Sequence, residues 1–295
     1  MHGLILPRRA LLQGAAALGL GMLSPLLRAA SRPDNARLVC VGGALTEIIY
    51  ALGAERQLVG VDSTSRFPAA AQSLPGVGYA RTLSAEGILS LAPGAVLASE
   101  DAGPPAVLRQ ISAAGVPVHI LPGNHRFEGV LSRITRVGEL TGRTTQAAQL
   151  QTRLQRDWQK VQGKVAARHS PPARVLFMLN AAPGQLLVAG NGTAADAMLR
   201  YAGARNALQG FNGYRPMTAE AVVAARPDAL LLSGDGLAAA GGVEGVLRLP
   251  GVAQTPAGQQ RRILSQDALL LLGFGPRLPQ AVDWLVQTLP AGQNS

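Results

Sequence analysis

A tyrosine and an arginine two residues apart, in Val77-Gly78-Tyr79-Ala80-Arg81, are the residues of this 295-residue sequence with the most chemistry to offer. They lie in a stretch rich in Gly and Pro (Pro75, Gly76), between an apolar run at 58–62 and a helix start at Ser84. A phenolate oxygen can bind ferric iron, as tyrosine does in some haem proteins. An unperturbed phenol, with a pKa of about 10, is a poor ligand at neutral pH. A guanidinium at Arg81 would favour the anion and lower the cost of ligation. On composition alone a plainer reading stands beside this one, with Tyr79 as a half-buried loop aromatic.

Other chemistry is missing from the sequence. There is no G-x-x-x-x-G-K-[ST] phosphate loop, no G-x-G-x-x-G after the first strand, no G-x-S-x-G elbow and no H-E-x-x-H pair. The histidines beyond residue 30, His119, His125 and His169, are dispersed, and each reads as structural or solvated. Cys40 is the single cysteine, which excludes a disulfide framework and Cys-based zinc or iron–sulfur sites. No residue demands a catalytic role. An α/β enzyme on an acidic substrate is permitted by the net charge of +10, but no acid–base pair supports it. The charge is carried by scattered arginines, since Lys160 and Lys164 are the only lysines. No dense basic tract is present and aromatics are only 4%, so nucleic-acid binding is not expected.

The elements that must position Tyr79 follow from apolar runs and punctuation. Residues 37–42 read as a buried parallel strand, 46–52 as a helix closed by Gly53, and 58–62, 95–98 and 116–121 as further strands, with a helix at 106–114. That alternation predicts an α/β lobe. Residues 143–169 lack Gly–Pro punctuation except Gly163 and carry Leu150, Leu154, Trp158 and Val161 at helical spacing. A helix of about 25 residues reaches about 37 Å, enough to join two lobes. A second strand–helix alternation begins at 174, with strands at 174–179, 186–188 and 230–233. Residues 84–99 (SAEGILSLAPGAVLAS) echo residues 218–233 (TAEAVVAARPDALLLS), with Ser84 and Thr218 as N-caps and Glu86 and Glu220 in the first helical turn. The expectation is two Rossmann-like α/β lobes, 37–142 and 173–290, joined by one long interlobe helix over 143–169, with the binding site in the cleft.

Residues 1–30 have the layout of an export signal, with Arg8 and Arg9 ahead of an apolar run, and Arg8-Arg9-Ala10-Leu11-Leu12 resembles a twin-arginine signal. Its removal leaves 24 Lys and Arg against 17 Asp and Glu, a net +7, and an exported chain.

The sequence resembles the haemin-binding periplasmic proteins of bacterial ABC importers, within the class that also carries cobalamin and siderophores. The likeness rests on VGGALTEIIYALGA (41–54), VGVDSTSRFPAAAQSLPGVGYARTLSAEGILSL (59–91), ASEDAGPP (98–105), GTAADAML (192–199), GYRPMTAEAVVAARPD (213–228) and LLLLGFGPR (269–277). The run from 62 to 91 is its specific part. The resemblance implies a helical-backbone periplasmic binding fold and a monomeric periplasmic carrier of ferric haem, not an enzyme. It implies Tyr79 as axial iron ligand and Arg81 as its basic support. It places Glu86 and Glu220 as the paired acids that meet a dimeric permease. Asn212, Tyr214 and Arg215 are the expected polar contributors from the second lobe. Some relatives carry a second-lobe histidine as another iron ligand; here residues 180–184 read Asn-Ala-Ala-Pro-Gly, which implies one five-coordinate haem. Cobalamin or a ferric siderophore is the alternative cargo on the same scaffold.

Overall fold

The apolar run at 37–42 forms β1 (Leu38–Val41), buried along its whole length. It ends at Gly42, whose φ is 121° and where a Cβ would sit 3.0 Å from the Ser99 side chain, so only glycine lets the two strand ends approach there. The strands β2 (Leu58–Val61), β3 (Ala95–Ser99) and β4 (Val118–Leu121) complete a parallel sheet in the order β2-β1-β3-β4. The order reverses between β1 and β3. Open parallel sheets bind ligands in the crevice outside the carboxyl ends of strands at such a point. Helices α1 (Gly43–Ala51), α2 (Ala85–Leu89), α3 (Pro105–Ala113) and α4 (Phe127–Thr141) cover the sheet. Ile48, Ile49, Ile134 and Val137 pack on one face, and Ile88, Leu108 and Ile111 on the other. The computed structural model describes residues 36–182 and 185–292; the export-signal reading of residues 1–30 lies outside the described residues.

The unpunctuated stretch folds as α5 (Thr144–Ala166), 23 residues and about 35 Å long. Leu150, Leu154 and Val161 are buried along it. The second lobe contains β5 (Arg174–Ala182), β6 (Gln185–Ala189), α6 (Ala194–Tyr201), β7 (Arg205–Asn206), β8 (Tyr214–Pro216), α7 (Ala219–Ala225) and β9 (Ala229–Ser233). It continues through α8 (Gly234–Ala239), α9 (Gly242–Leu247), α10 (Pro256–Gln259), β10 (Ile263–Gln266), α11 (Ala268–Leu272) and α12 (Leu278–Thr288). The strands lie in the order β10-β9-β5-β6-β8, with β7 beside β5. This sheet is mixed: β5, β9 and β10 run parallel, whereas β6 is antiparallel to both β5 and β8. Only two residues separate β5 from β6, too few for a crossover, so the chain must turn back as a hairpin.

The repeated segments fold alike. Ser84 Oγ accepts from the Gly87 N–H at 3.3 Å, and Thr218 Oγ1 accepts from the Ala221 N–H at 3.4 Å. Each repeat ends in a strand, β3 or β9, paired in parallel with the first strand of its own lobe.

The two lobes share one continuous apolar core along α5. Phe127 stacks on Trp158 with centroids 4.6 Å apart, Trp158 meets Tyr201 edge-on at 4.8 Å, and Tyr201 lies 6.4 Å from Phe274. The Phe127 N–H donates to Tyr201 Oη at 3.1 Å, and Arg133 donates to the Phe274 carbonyl at 2.6 Å. Glu47 of α1, 5% exposed, is paired with Arg277 at 3.0 Å. The Arg277 guanidinium also lies 3.7 Å over the Phe67 ring. No helix among the described residues is long and apolar enough to cross a membrane.

Candidate functional site

The Tyr79 loop is closed at its base and organised from below. Asp62, at the end of β2 and buried, accepts hydrogen bonds from Gly42 N (2.8 Å), Thr64 N (3.0 Å), Thr64 Oγ1 (2.7 Å) and Ser65 Oγ (2.9 Å). It therefore ties the start of the loop to the end of β1. The two ends of residues 61–78 are joined by Val61 N to Pro75 O, Val77 N to Val61 O and Ser63 N to Gly78 O. Beyond them, Gly103 N donates to Ala80 O and Leu83 N donates to Gly103 O, which pins the Tyr79 turn to the loop after β3.

This frame decides where Tyr79 points. Val77 and Ala80 are buried apolar anchors, and Gly78 at φ 90° supplies the left-handed turn between them. Tyr79 is left facing outward at 45% exposure, one of the few large aromatics so placed. An outward phenol on an anchored turn can reach a ligand without unfolding its support.

Arg81 is held beside it. Its Nε and Nη2 donate to Asp101 Oδ2 at 3.1 and 2.8 Å, and Ser99 Oγ donates to Asp101 Oδ1 at 2.7 Å. The bond to Asp101 raises the Arg81 pKa, against some burial, and the nearby phenols of Tyr79 and Tyr214 push in the same direction. Burial alone would raise the Asp101 carboxyl, but the bonds from Ser99 and Arg81 and the Arg81 charge outweigh it and hold the carboxyl below its ordinary range. The pair therefore contributes stability above the ordinary carboxylate pKa of about 3.9, and that contribution is lost as pH falls through the lowered folded value. In an Arg81→Gln variant, Asp101 should titrate nearer its ordinary value, checked by carboxyl-carbon NMR against pH. An unmoved titration would remove Arg81 as the cause.

The second lobe supplies Tyr214, close enough to Arg81 for each to bias the other's titration. Its environment differs from that of Tyr79. Burial pushes the Tyr214 phenol up, and hydrogen bonds with the Thr193 side chain and from the Ala195 N–H only partly oppose this. Tyr214 is thus tied to the start of α6 as a neutral phenol. Of the two tyrosines, Tyr79 is the one free to offer an oxygen to a metal. Asn212 and Arg215 are exposed on the same segment; Asn212 bridges to Asn191, and Arg215 lies 5.4 Å from the Phe211 ring centre. Neither makes a hydrogen bond or ion pair with Tyr79 or Arg81 among the described residues. Glu86 and Glu220 are exposed in the first turns of α2 and α7.

Sequence reasoning missed Asp101 and Ser99. Their signal was available, because Ser-Glu-Asp directly follows an apolar strand at the reversal point of the sheet. It also missed Phe67 and Leu179, apolar side chains that stay partly exposed near strand ends. Among the described residues no three His, Cys, Asp or Glu converge as a metal site, and burial pushes the Cys40 thiol up to about 12, which keeps it protonated.

Comparison with known proteins adds to this geometry. The family model described as periplasmic binding protein matches residues 38–268. The solved periplasmic heme-binding protein BhuT in complex with two hemes is 51% identical, with a TM-score of 0.82 over 85% of this chain and 97% of that one. An uncharacterized ABC transporter substrate-binding lipoprotein, YvrC, of Bacillus subtilis (strain 168) is 28% identical over 260 residues, 88% of this chain and 81% of its own. The vitamin B12-binding protein of Pectobacterium atrosepticum is 24% identical over 202 residues, 67% of this chain and 71% of its own.

Proposed function

The chain belongs to the periplasmic binding protein family, and from that premise we propose that it carries ferric haem in the periplasm and hands it, unaltered, to an ABC-type permease for iron acquisition. It is a transport protein rather than an enzyme. The observation that carries the cargo assignment is the outward phenol of Tyr79 on an anchored turn, with the Arg81–Asp101 pair at its side. Arg81 stabilises the phenolate form on ligation, and Asp101 and Ser99 hold Arg81 in place for it. Tyr79 is the iron ligand in this reading. Tyr214, Asn212 and Arg215 are second-lobe contacts, and Phe67 and Leu179 offer apolar surface to the porphyrin.

The lobes are taken as 37–142 and 173–290, with residues 143–169 between them and residues 1–30 as the export signal. A monomer is sufficient, since one chain supplies both lobes. Glu86 and Glu220 dock the permease: each is exposed at the capped start of a repeated helix, so two equivalent acids face a dimeric partner. Each also favours its own helix N-terminus, worth about 0.3–1 kcal/mol.

The test is a haemin titration of the full chain. A shifted Soret band and a high-spin tyrosinate charge-transfer band are expected, with an end point of one equivalent. An end point of two, the count in BhuT, would overturn the single-haem expectation drawn from residues 180–184 while leaving Tyr79 in place. The likeness to a vitamin B12-binding protein supports cobalamin as the second reading. Competition decides between them: cobalamin displacing haemin at equal concentration would overturn the haem assignment.

A further inference from the structure

A cavity of about 340 Å³ lies at the seam of the lobes, lined by His125, Arg126, Ala197, Arg200 and Tyr201. Its size is at the small end of ligand sites. The first lobe gives His125 and Arg126 from the loop between β4 and α4, and the second gives the other three from α6.

Every polar group on this wall is a donor or a cation. The Arg126 and Arg200 guanidiniums are 70% and 66% exposed, and each has only a 3.5 Å ion pair, to Glu128 and Asp196 respectively. Most of their N–H groups are therefore open to a third party. Tyr201 Oη already accepts from the Phe127 N–H, so its own hydrogen remains to be donated. The imidazole of His125 rests on Phe274 at 5.3 Å and makes no hydrogen bond to another described residue. It is presented by two consecutive non-glycine residues in the left-handed region, Asn124 at φ 36° and His125 at φ 46°. Such strain persists where the surroundings hold it and gathers at ligand sites. No carboxylate lines the cavity.

From this wall we infer that the interlobe cavity binds a small carboxylate- or phosphate-bearing anion, gripped by Arg126 of one lobe and Arg200 of the other. Guanidiniums match such oxyanions with paired N–H bonds. Tyr201 donates a further bond, and His125 does so in the tautomer that turns an N–H inward. Because the two cations come from different lobes, the anion cross-links them, and a ligand held only by the folded arrangement raises its stability. The same chemistry has two sources: a free anion, or the acidic propionate edge of the haem proposed above.

Calorimetric titration of the apo full chain with succinate, and separately with inorganic phosphate, tests the inference at low ionic strength. Saturable 1:1 binding of either probe is expected, with a rise in Tm, and at least tenfold weaker binding in Arg126→Ser and in Arg200→Ser. Arg200→Lys, which keeps the charge and loses the fork, should fall between. Near-ultraviolet circular dichroism verifies that each variant is folded. Repeating the titration after loading haemin or haemin dimethyl ester separates the sources. Loss of anion binding with haemin but not with the ester assigns the cavity to the propionate edge; retention with both assigns it to a free anion. No saturable binding of either probe, or equal binding in the folded arginine variants, overturns the site. The apo arm uses no haem, so its failure is separate from failure of the haem reading.

Discussion

Replacing Tyr79 with alanine should abolish the tyrosinate charge-transfer band of the haemin complex and weaken haemin binding by roughly 100-fold, about 2.7 kcal/mol. The expectation follows from the contrast between the two tyrosines near Arg81. Tyr79 projects outward from an anchored turn, whereas Tyr214 is held as a neutral phenol at the start of α6. Tyr79→Phe keeps the ring and removes only the oxygen, so it should lose the band as completely as the alanine variant. Tyr214→Phe should keep the band, with a smaller loss of affinity. Arg81→Gln should keep the ligand but shift formation of the tyrosinate complex to higher pH, because the phenolate loses its neighbouring cation. An unchanged spectrum in Tyr79→Phe would remove this residue as the iron ligand.

The second large effect is on stability. Arg277→Ala should cost about 3–5 kcal/mol in urea unfolding, because it leaves the Glu47 carboxylate buried without its partner. It also removes the guanidinium from the Phe67 ring. Burial already raises the Glu47 carboxyl, with the Arg277 bonds and charge pulling it back. A raised acid favours the fold most below its unfolded pKa, near 4.3, and that advantage is lost as pH rises through the folded value. In Arg277→Ala the opposing pull is gone, so stability should fall more steeply over the same rise and into the neutral range. Adding Glu47→Gln to Arg277→Ala should recover part of the loss at neutral pH. A double variant as weak as the single would show that the buried charge was not the cause.

The first lobe was more legible in the sequence than the second, for physical reasons. Strands β1 to β4 are short apolar runs closed by glycine or a cap, and parallel strands buried on both faces write that pattern strongly. Residues 144–166 announced a helix because their apolar residues recur at helical spacing without a breaker. Ser84 and Thr218 were readable as caps because a hydroxyl three residues before a free N–H is a local signal. The mixed sheet was not readable, since whether β6 turns back on β5 is decided by a two-residue connection. Within the site, Tyr79 and Arg81 could be paired from their spacing. The Arg81–Asp101 bond and the approach of Tyr214 span 20 and more than 100 residues, and no local pattern encodes them. Nor could the seam cavity be foreseen, because its cations meet only after α5 has brought α4 and α6 together.

The chain of rings through Phe127, Trp158, Tyr201 and Phe274 sets a mechanical limit on how cargo leaves. Wide yawning of the shell would have to part a stacked pair and two tilted or edge-on pairs, each worth about 0.5–1.5 kcal/mol beyond simple area burial, and break the bond from Phe127 to Tyr201 as well. The small movable part is the tethered turn at residues 78–82, so unloading is cheaper by flexing a lip than by swinging a jaw.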